Sequence, residues 1–242
     1  MALRIGFDCD GVLADMEAGL IRQAEALFGE PMTRRVEARE AETPPPAAGD
    51  PAESAPDNAA PLVKLKLTPR QQRRLWNHVE SIENFWQTLE ECEAGVVERL
   101  GRLARERRWE IIFLTKRPEG AGFTAQRQTQ LWLASRGFEL PSVYVVQGSR
   151  GRIATALGLD IVVDDRPENC LDVVVDSKAR AILIWRNRAQ QLPAAAQRLG
   201  IGVVSSVAEC LDILVQIDSP AEQPGMLDRV KRLLGLKETA GA

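Results

Sequence analysis

Polar and apolar positions along this chain follow two rhythms. Short apolar runs that stop at polar residues occur at residues 3–8 and at about 110–114, 143–146, 160–163 and 181–185. Runs of this length, apolar at consecutive positions and rich in Ile, Val and Phe, predict strands covered on both faces. Between them apolar residues recur at helical spacing. One helix is expected at residues 16–28, ended by Gly29 and Pro31. Another opens at Thr68-Pro69, an N-cap and first-turn pair, and carries Leu75, Trp76 and Val79. A third is expected at about 94–107, and QGSRGRIATALG, residues 147–158, reads as a turn opening a short helix. Strands alternating with helices imply an α/β fold with a parallel, doubly wound sheet.

Residues 16–92 stand between the first and second expected strands, far more than the dozen or so residues a crossover needs. The excess reads as a small helical cap inserted after the first strand. The expected division is a core of residues 1–15 and 93–215, a cap of 16–92 and a tail of 216–242. Within the cap, residues 41–61 hold six of the fourteen prolines and almost no large apolar side chains. Such a segment cannot bury enough surface to offset its ordering entropy, so disorder is expected there. In the tail, MLDRVKRLLGLK (226–237) places Leu227, Val230, Leu233 and Leu234 at helical spacing. Packing against the body is expected of it, with a homodimer contact as the alternative.

The candidate chemistry lies where the strands end. The run IGFDCDGVLAD, residues 5–15, leads an apolar strand into Asp8 and Asp10 and then Gly11. Residues two apart point to the same side of a strand, and open α/β sheets bind ligands at the carboxyl ends of their strands. Two carboxylates crowded there repel each other unless a cation or a shared proton intervenes. A hard divalent ion with oxygen ligands, most simply Mg2+, provides that relief. Read blandly, the same residues are an acidic surface turn. Two further strand ends add to the pattern. WEIIFLTKRP ends in Thr115, Lys116 and Arg117, and LDIVVDDRPEN ends in Asp164 and Asp165.

In sequence and order, DCDGVLAD, FLT and VVDDRPEN resemble the first, second and fourth motifs of the haloacid dehalogenase-like (HAD) phosphatase superfamily. The spacing and the DDRPEN ending look most like its 5'-nucleotidase and deoxyribonucleotidase branch. The resemblance covers roughly residues 3–185. It implies a five-stranded core in the order 5-4-1-2-3 and a Mg2+-dependent phosphomonoesterase acting on a small phosphorylated substrate. It assigns Asp8 as nucleophile and Asp10 as general acid and base. Mg2+ would be held by Asp8, the Asp10 carbonyl, and Asp164 or Asp165, and Thr115 would donate to a phosphoryl oxygen. The family's third motif supplies a lysine where this chain has Arg150, and Arg152 and Lys116 are the neighbouring cations. A guanidinium neutralises phosphate, but its planar fork is not equivalent to a compact ammonium. Phe85 and Trp86 fall where the resembling nucleotidases place residues that face a base; plugging the cap onto the core is the alternative role. The substrate expected from this likeness is a nucleoside monophosphate, with a sugar phosphate or other small ester as the second reading. A scaffold that binds but has lost turnover is the third.

The remaining properties narrow the class. At 242 residues with 45% apolar and 27% charged residues, the chain is long enough for a sizeable core and has the composition of a globular protein. A formal net charge of −3 argues against a nucleic acid polymer as partner. Cys9, Cys92, Cys170 and Cys210 form no CxxC pair, which fits reduced thiols. With a single histidine, His78, a His-rich metal site is not expected. The chain opens on a strand with no signal-like segment and has no apolar stretch long enough to span a bilayer, so a cytoplasmic protein without a membrane partner is expected.

Overall fold

The computed structural model describes residues 2–29, 67–186, 196 and 198–218. The Pro-rich segment 41–61 and the amphipathic segment 226–237 lie outside the described residues. β1 (Arg4–Asp8) is followed by α1 (Met16–Phe28) and α2 (Pro69–Ser81), then by a single 3-10 turn (Phe85–Gln87) and α3 (Val96–Arg107). The alternation then runs β2 (Glu110–Thr115), α4 (Ala125–Ser135), β3 (Ser142–Val145), α5 (Arg150–Leu157), β4 (Ile161–Asp164) and α6 (Pro167–Asp176). It closes with β5 (Arg180–Ile184), β6 (Gly202–Val204) and α7 (Val207–Asp218).

All the strand pairings are parallel, in the order β3-β2-β1-β4-β5-β6. The expected five-strand order is present with β1 inside the sheet. β6, three residues of GVV, was not expected and adds an edge beyond β5. Three residues are too few to show a period, so only the pairing with β5 makes them a strand.

Local chemistry sets the helix boundaries. Asp15 caps α1 by accepting from Ala18 N at 2.9 Å, and Gly29 ends it in the left-handed region. Thr68 and Gln71 form a reciprocal capping box ahead of Pro69. Pro167 occupies the first turn of α6, where a missing N–H has no cost.

The sheet divides the core into two layers. Ile5, Phe7, Phe113 and Val163 face α1, α3, α4 and α7, and this cluster takes in Leu20 of α1 and Leu75 of α2. Ile112, Leu114, Val162 and Leu183 face the other way, onto Ala154 of α5 and Val173 of α6. Because β1 is covered on both sides, polar chemistry is confined to its two ends, and the carboxyl end carries Asp8.

Candidate active site

Asp8 is the last residue of β1, Thr115 of β2 and Asp164 of β4. Parallel pairing in register brings these three ends to one rim of the sheet. Asp8 is 6% exposed, and its Oδ2 accepts from the Asp10 backbone N–H at 3.0 Å as the chain turns away. Gly11 carries the turn at φ 82°, and a Cβ there would stand 2.1 Å from Oδ2 of Asp165. Both the backbone angle and the missing side chain are therefore needed for Asp165 to approach. Cys9, between the two aspartates, is buried, and burial pushes its thiol up, away from the reactive thiolate.

Arg150 starts α5 and reaches the carboxylates as the sequence placed it. Its Nη2 donates to Asp8 Oδ1 at 2.5 Å, and its Nε lies 3.7 Å from Asp164 Oδ2. Its Nη1 is buried with no hydrogen-bond partner. Arg152 is exposed, two residues further along the helix. Asp164 is fixed from the other side: Asn169 Nδ2 donates to both of its oxygens, at 3.0 and 2.9 Å, and Arg166 N donates to Oδ1. Asp165 follows at the rim, with Oδ1 buried and unpartnered.

The second cluster centres on Asp10. Thr115 Oγ1 donates to its Oδ2 at 2.8 Å. Arg117 donates from Nε to both oxygens, at 3.0 and 3.1 Å, and from Nη2 to Oδ1 at 2.7 Å. Arg117 is the site residue that sequence reasoning did not assign. It stood in the motif as one of two cations, and the signal that distinguishes it is position: alternate residues share a side, which pairs it with Thr115, while Lys116 is exposed.

Phe85 and Trp86 do not offer the stacking platform expected for a base. They are 3% and 2% exposed and meet edge to face at 5.0 Å. The Trp86 ring is covered by Arg117, whose guanidinium carbon lies 5.2 Å from the ring centroid. Their plugging role is the one this packing supports, because two large rings gain more from burial here than from an open face.

The electrostatics show a shortage of positive charge. Burial, then Asp164, pushes the Asp8 carboxyl well above its usual range, against the opposing pull of Arg150. Burial and Asp165 raise Asp164 to about 6, and burial and Asp8 raise Asp165 to about 7. Four carboxylates (Asp8, Asp10, Asp164 and Asp165) face two buried guanidiniums (Arg117 and Arg150), a formal excess of two negative charges. Hard oxygen donors, an unpartnered buried oxygen and that excess fit a small divalent cation. Among the described residues no three His, Cys, Asp or Glu side chains are grouped to hold an ion by themselves. Backbone carbonyl or water oxygens would complete its shell. Chemically, the arrangement supplies one carboxylate beside a guanidinium and a second carboxylate held by a hydroxyl and a guanidinium, which suits transfer of an anionic group.

A cavity of about 510 Å³ lies elsewhere, lined by Arg4, Trp109, Glu110 and Ser142 among others. These residues sit at the amino ends of the strands, opposite the carboxylates. Among the described residues no helix is long and apolar enough to cross a membrane.

No protein-family model matches the chain, and no curated protein matches it in sequence. Solved structures do match it in fold. A putative beta-phosphoglucomutase from Thermotoga maritima is 18% identical with a TM-score of 0.51, covering 89% of this chain and 99% of its own. A HAD family hydrolase from Deinococcus radiodurans R1, solved with bound phosphate and sodium, is 15% identical with a TM-score of 0.52, covering 89% of this chain and 96% of its own. A haloacid dehalogenase-like family hydrolase from Streptococcus pneumoniae is 12% identical with a TM-score of 0.50, covering 88% and 98%. The six-stranded parallel sheet with its flanking helices is thus the fold of HAD-superfamily hydrolases.

Proposed function

We propose that this protein is a phosphomonoesterase that works through an aspartyl-phosphate on Asp8 and depends on Mg2+. The observation that carries the reading is the pair Asp8 and Asp10 at the carboxyl end of β1, each with its own guanidinium. Asp8 attacks phosphorus in line, a bond forms from its oxygen, and the bond to the leaving alkoxide breaks. Asp10, on the loop just beyond, carries a proton once the anionic substrate is bound, gives it to the departing oxygen and later takes one from the water that hydrolyses the acyl phosphate. Backbone N–H groups at the rim hold phosphoryl oxygens, the Thr115 hydroxyl joins them only by turning its proton from Asp10 to the bound phosphoryl group, and Arg150 balances charge between Asp8, the phosphoryl group and Asp164. Asp8, the Asp10 carbonyl and Asp164 or Asp165 would hold Mg2+, which would supply charge neutralisation between an anionic nucleophile and an anionic substrate.

For the substrate, the burial of Phe85 and Trp86 favours a sugar phosphate or another small phosphate ester over a nucleoside monophosphate. With one ring's face taken by Arg117, the base loses the stacking partner that the nucleotidase reading assigned to it. The description of the Thermotoga protein as a putative beta-phosphoglucomutase is in keeping with that preference.

The test is phosphate release by purified protein across sugar phosphates, nucleotides and p-nitrophenyl phosphate, with and without Mg2+, beside Asp8→Asn. Turnover is expected only with Mg2+, fastest on sugar phosphates and absent in Asp8→Asn, whose amide fits the site but is a very poor nucleophile. Turnover retained in Asp8→Asn removes the covalent mechanism. Faster turnover of nucleotides restores the nucleotidase reading, and phosphate binding without turnover on any substrate identifies a binding scaffold.

A further inference from the structure

Arg117 is 2% exposed and directs its guanidinium at two partners, Asp10 and Thr129. Nε and Nη2 grip both oxygens of Asp10, and Nη1 donates to Thr129 Oγ1 at 2.8 Å. The Thr129 hydroxyl gives its own proton to Ala125 O at 2.7 Å, so towards Arg117 it acts as an acceptor. One face of the guanidinium is covered by Trp86. We propose that Arg117 is a positioning residue, which locks the Asp10 carboxylate in one orientation and ties that lock to the segment between β1 and β2.

Asp10 lies beyond the end of its strand, on a loop where a short side chain has several rotamers open to it. A planar fork contacting both oxygens selects one of them, which a point-charge ammonium does not. The fork is itself held. The turn carrying Trp86 is stitched to α4, because Trp86 N donates to Gln128 Oε1 at 3.0 Å and Gln128 Nε2 donates to Phe123 O at 2.5 Å. Trp86 Nε1 also donates to Pro118 O, next to Arg117, at 3.3 Å. Any shift of the turn between β1 and β2 therefore moves the face on which Arg117 rests, and through it Asp10. What Asp10 does once locked rests on the phosphomonoesterase reading; the lock itself does not.

Two measurements test this separately. With a sugar phosphate, whose alkoxide leaving group needs the proton from Asp10, Arg117→Lys and Thr129→Val are expected to lower kcat, the first by roughly tenfold or more, with KM within about twofold of wild type, since only the alignment of a group acting in the transition state is lost. Arg152→Ala, which removes an exposed cation, serves as the control for simple loss of charge. Wild-type kcat in Arg117→Lys, or parallel changes in kcat and KM, overturns the positioning role. The second measurement needs no turnover. Urea-unfolding midpoints of Arg117→Met, Asp10→Asn and the double variant form a cycle. The double variant is expected to be less perturbed than the two singles combined, because each single leaves a buried partner unpaired. Additive shifts overturn the lock. A wild-type protein without turnover sinks the functional reading alone, and the cycle still decides the lock.

Discussion

Arg150 stands between Asp8 and Asp164, which would otherwise face each other in a buried setting. If it stabilises charge at the phosphoryl group, Arg150→Ala loses about 2–4 kcal/mol of transition-state stabilisation, the range for one preorganised donor. Arg150→Lys is expected to keep or improve activity, and Arg152→Ala to change it little. Comparing kcat/KM for the three decides this. A silent Arg150→Ala beside a crippled Arg152→Ala moves the role two residues along, to Arg152. Arg150 could be located by counting back from Asp164, because the resemblance to the HAD superfamily implies a third-motif cation at the start of the helix before that strand. Alternation with Thr115 sets Arg117 apart from Lys116 but does not name its partners. Its role depends on Trp86 and Thr129, 31 and 12 residues away in the chain, as their numbers show, and such partners leave no local pattern.

Between elements, the tightest constraint lies where α5 meets α6. A Cβ on Gly151 would stand 2.1 Å from the backbone oxygen of Asp172, so only glycine allows these helices to approach so closely. Gly151→Ala is therefore expected to push α5 away from α6, at a cost of about 1–3 kcal/mol. Because Arg150 is the neighbouring residue, activity should fall together with the unfolding midpoint. An unchanged midpoint would show that the helices separate freely. The helix ends were legible from short-range signals such as Thr68-Pro69 and Gly29, each acting within one turn. β6 was not, since a three-residue strand is defined by its partner.

Across the whole molecule, the excess of negative charge at the carboxyl rim of the sheet links stability to pH. Asp164 and Asp165 titrate near 6 and 7 in the folded protein, against an ordinary 3.8. Between those values the folded state holds protons that the unfolded chain has lost, so the contribution of these groups to stability falls as pH rises from about 4 to about 7 and levels off above that. In metal-free buffer, Asp165→Asn is expected to be more stable than wild type by a margin near zero at low pH that grows up to about pH 7. Urea unfolding across that range measures it, and a margin independent of pH refutes the charge excess. Mg2+ should raise the wild-type midpoint at neutral pH, lose that effect in acid as the carboxylates protonate, and be reversed by chelation.

The resemblance to HAD phosphatases implied that β1 lies inside the sheet and that Asp8, Asp10, Thr115, Arg150 and the 164–165 pair share one site, while the sequence by itself determined the alternation of strands and helices, the parallel sheet and the carboxylates at strand ends. These follow from hydrophobic periodicity and from residues at strand ends, both of which act over a few positions. Tertiary structure alone decided which cation holds Asp10, that Phe85 and Trp86 are buried rather than open to a base, and that a sixth strand extends the sheet. Each of these depends on contacts between segments distant in the chain, where the competition between burial, pairing and exposure is settled by packing.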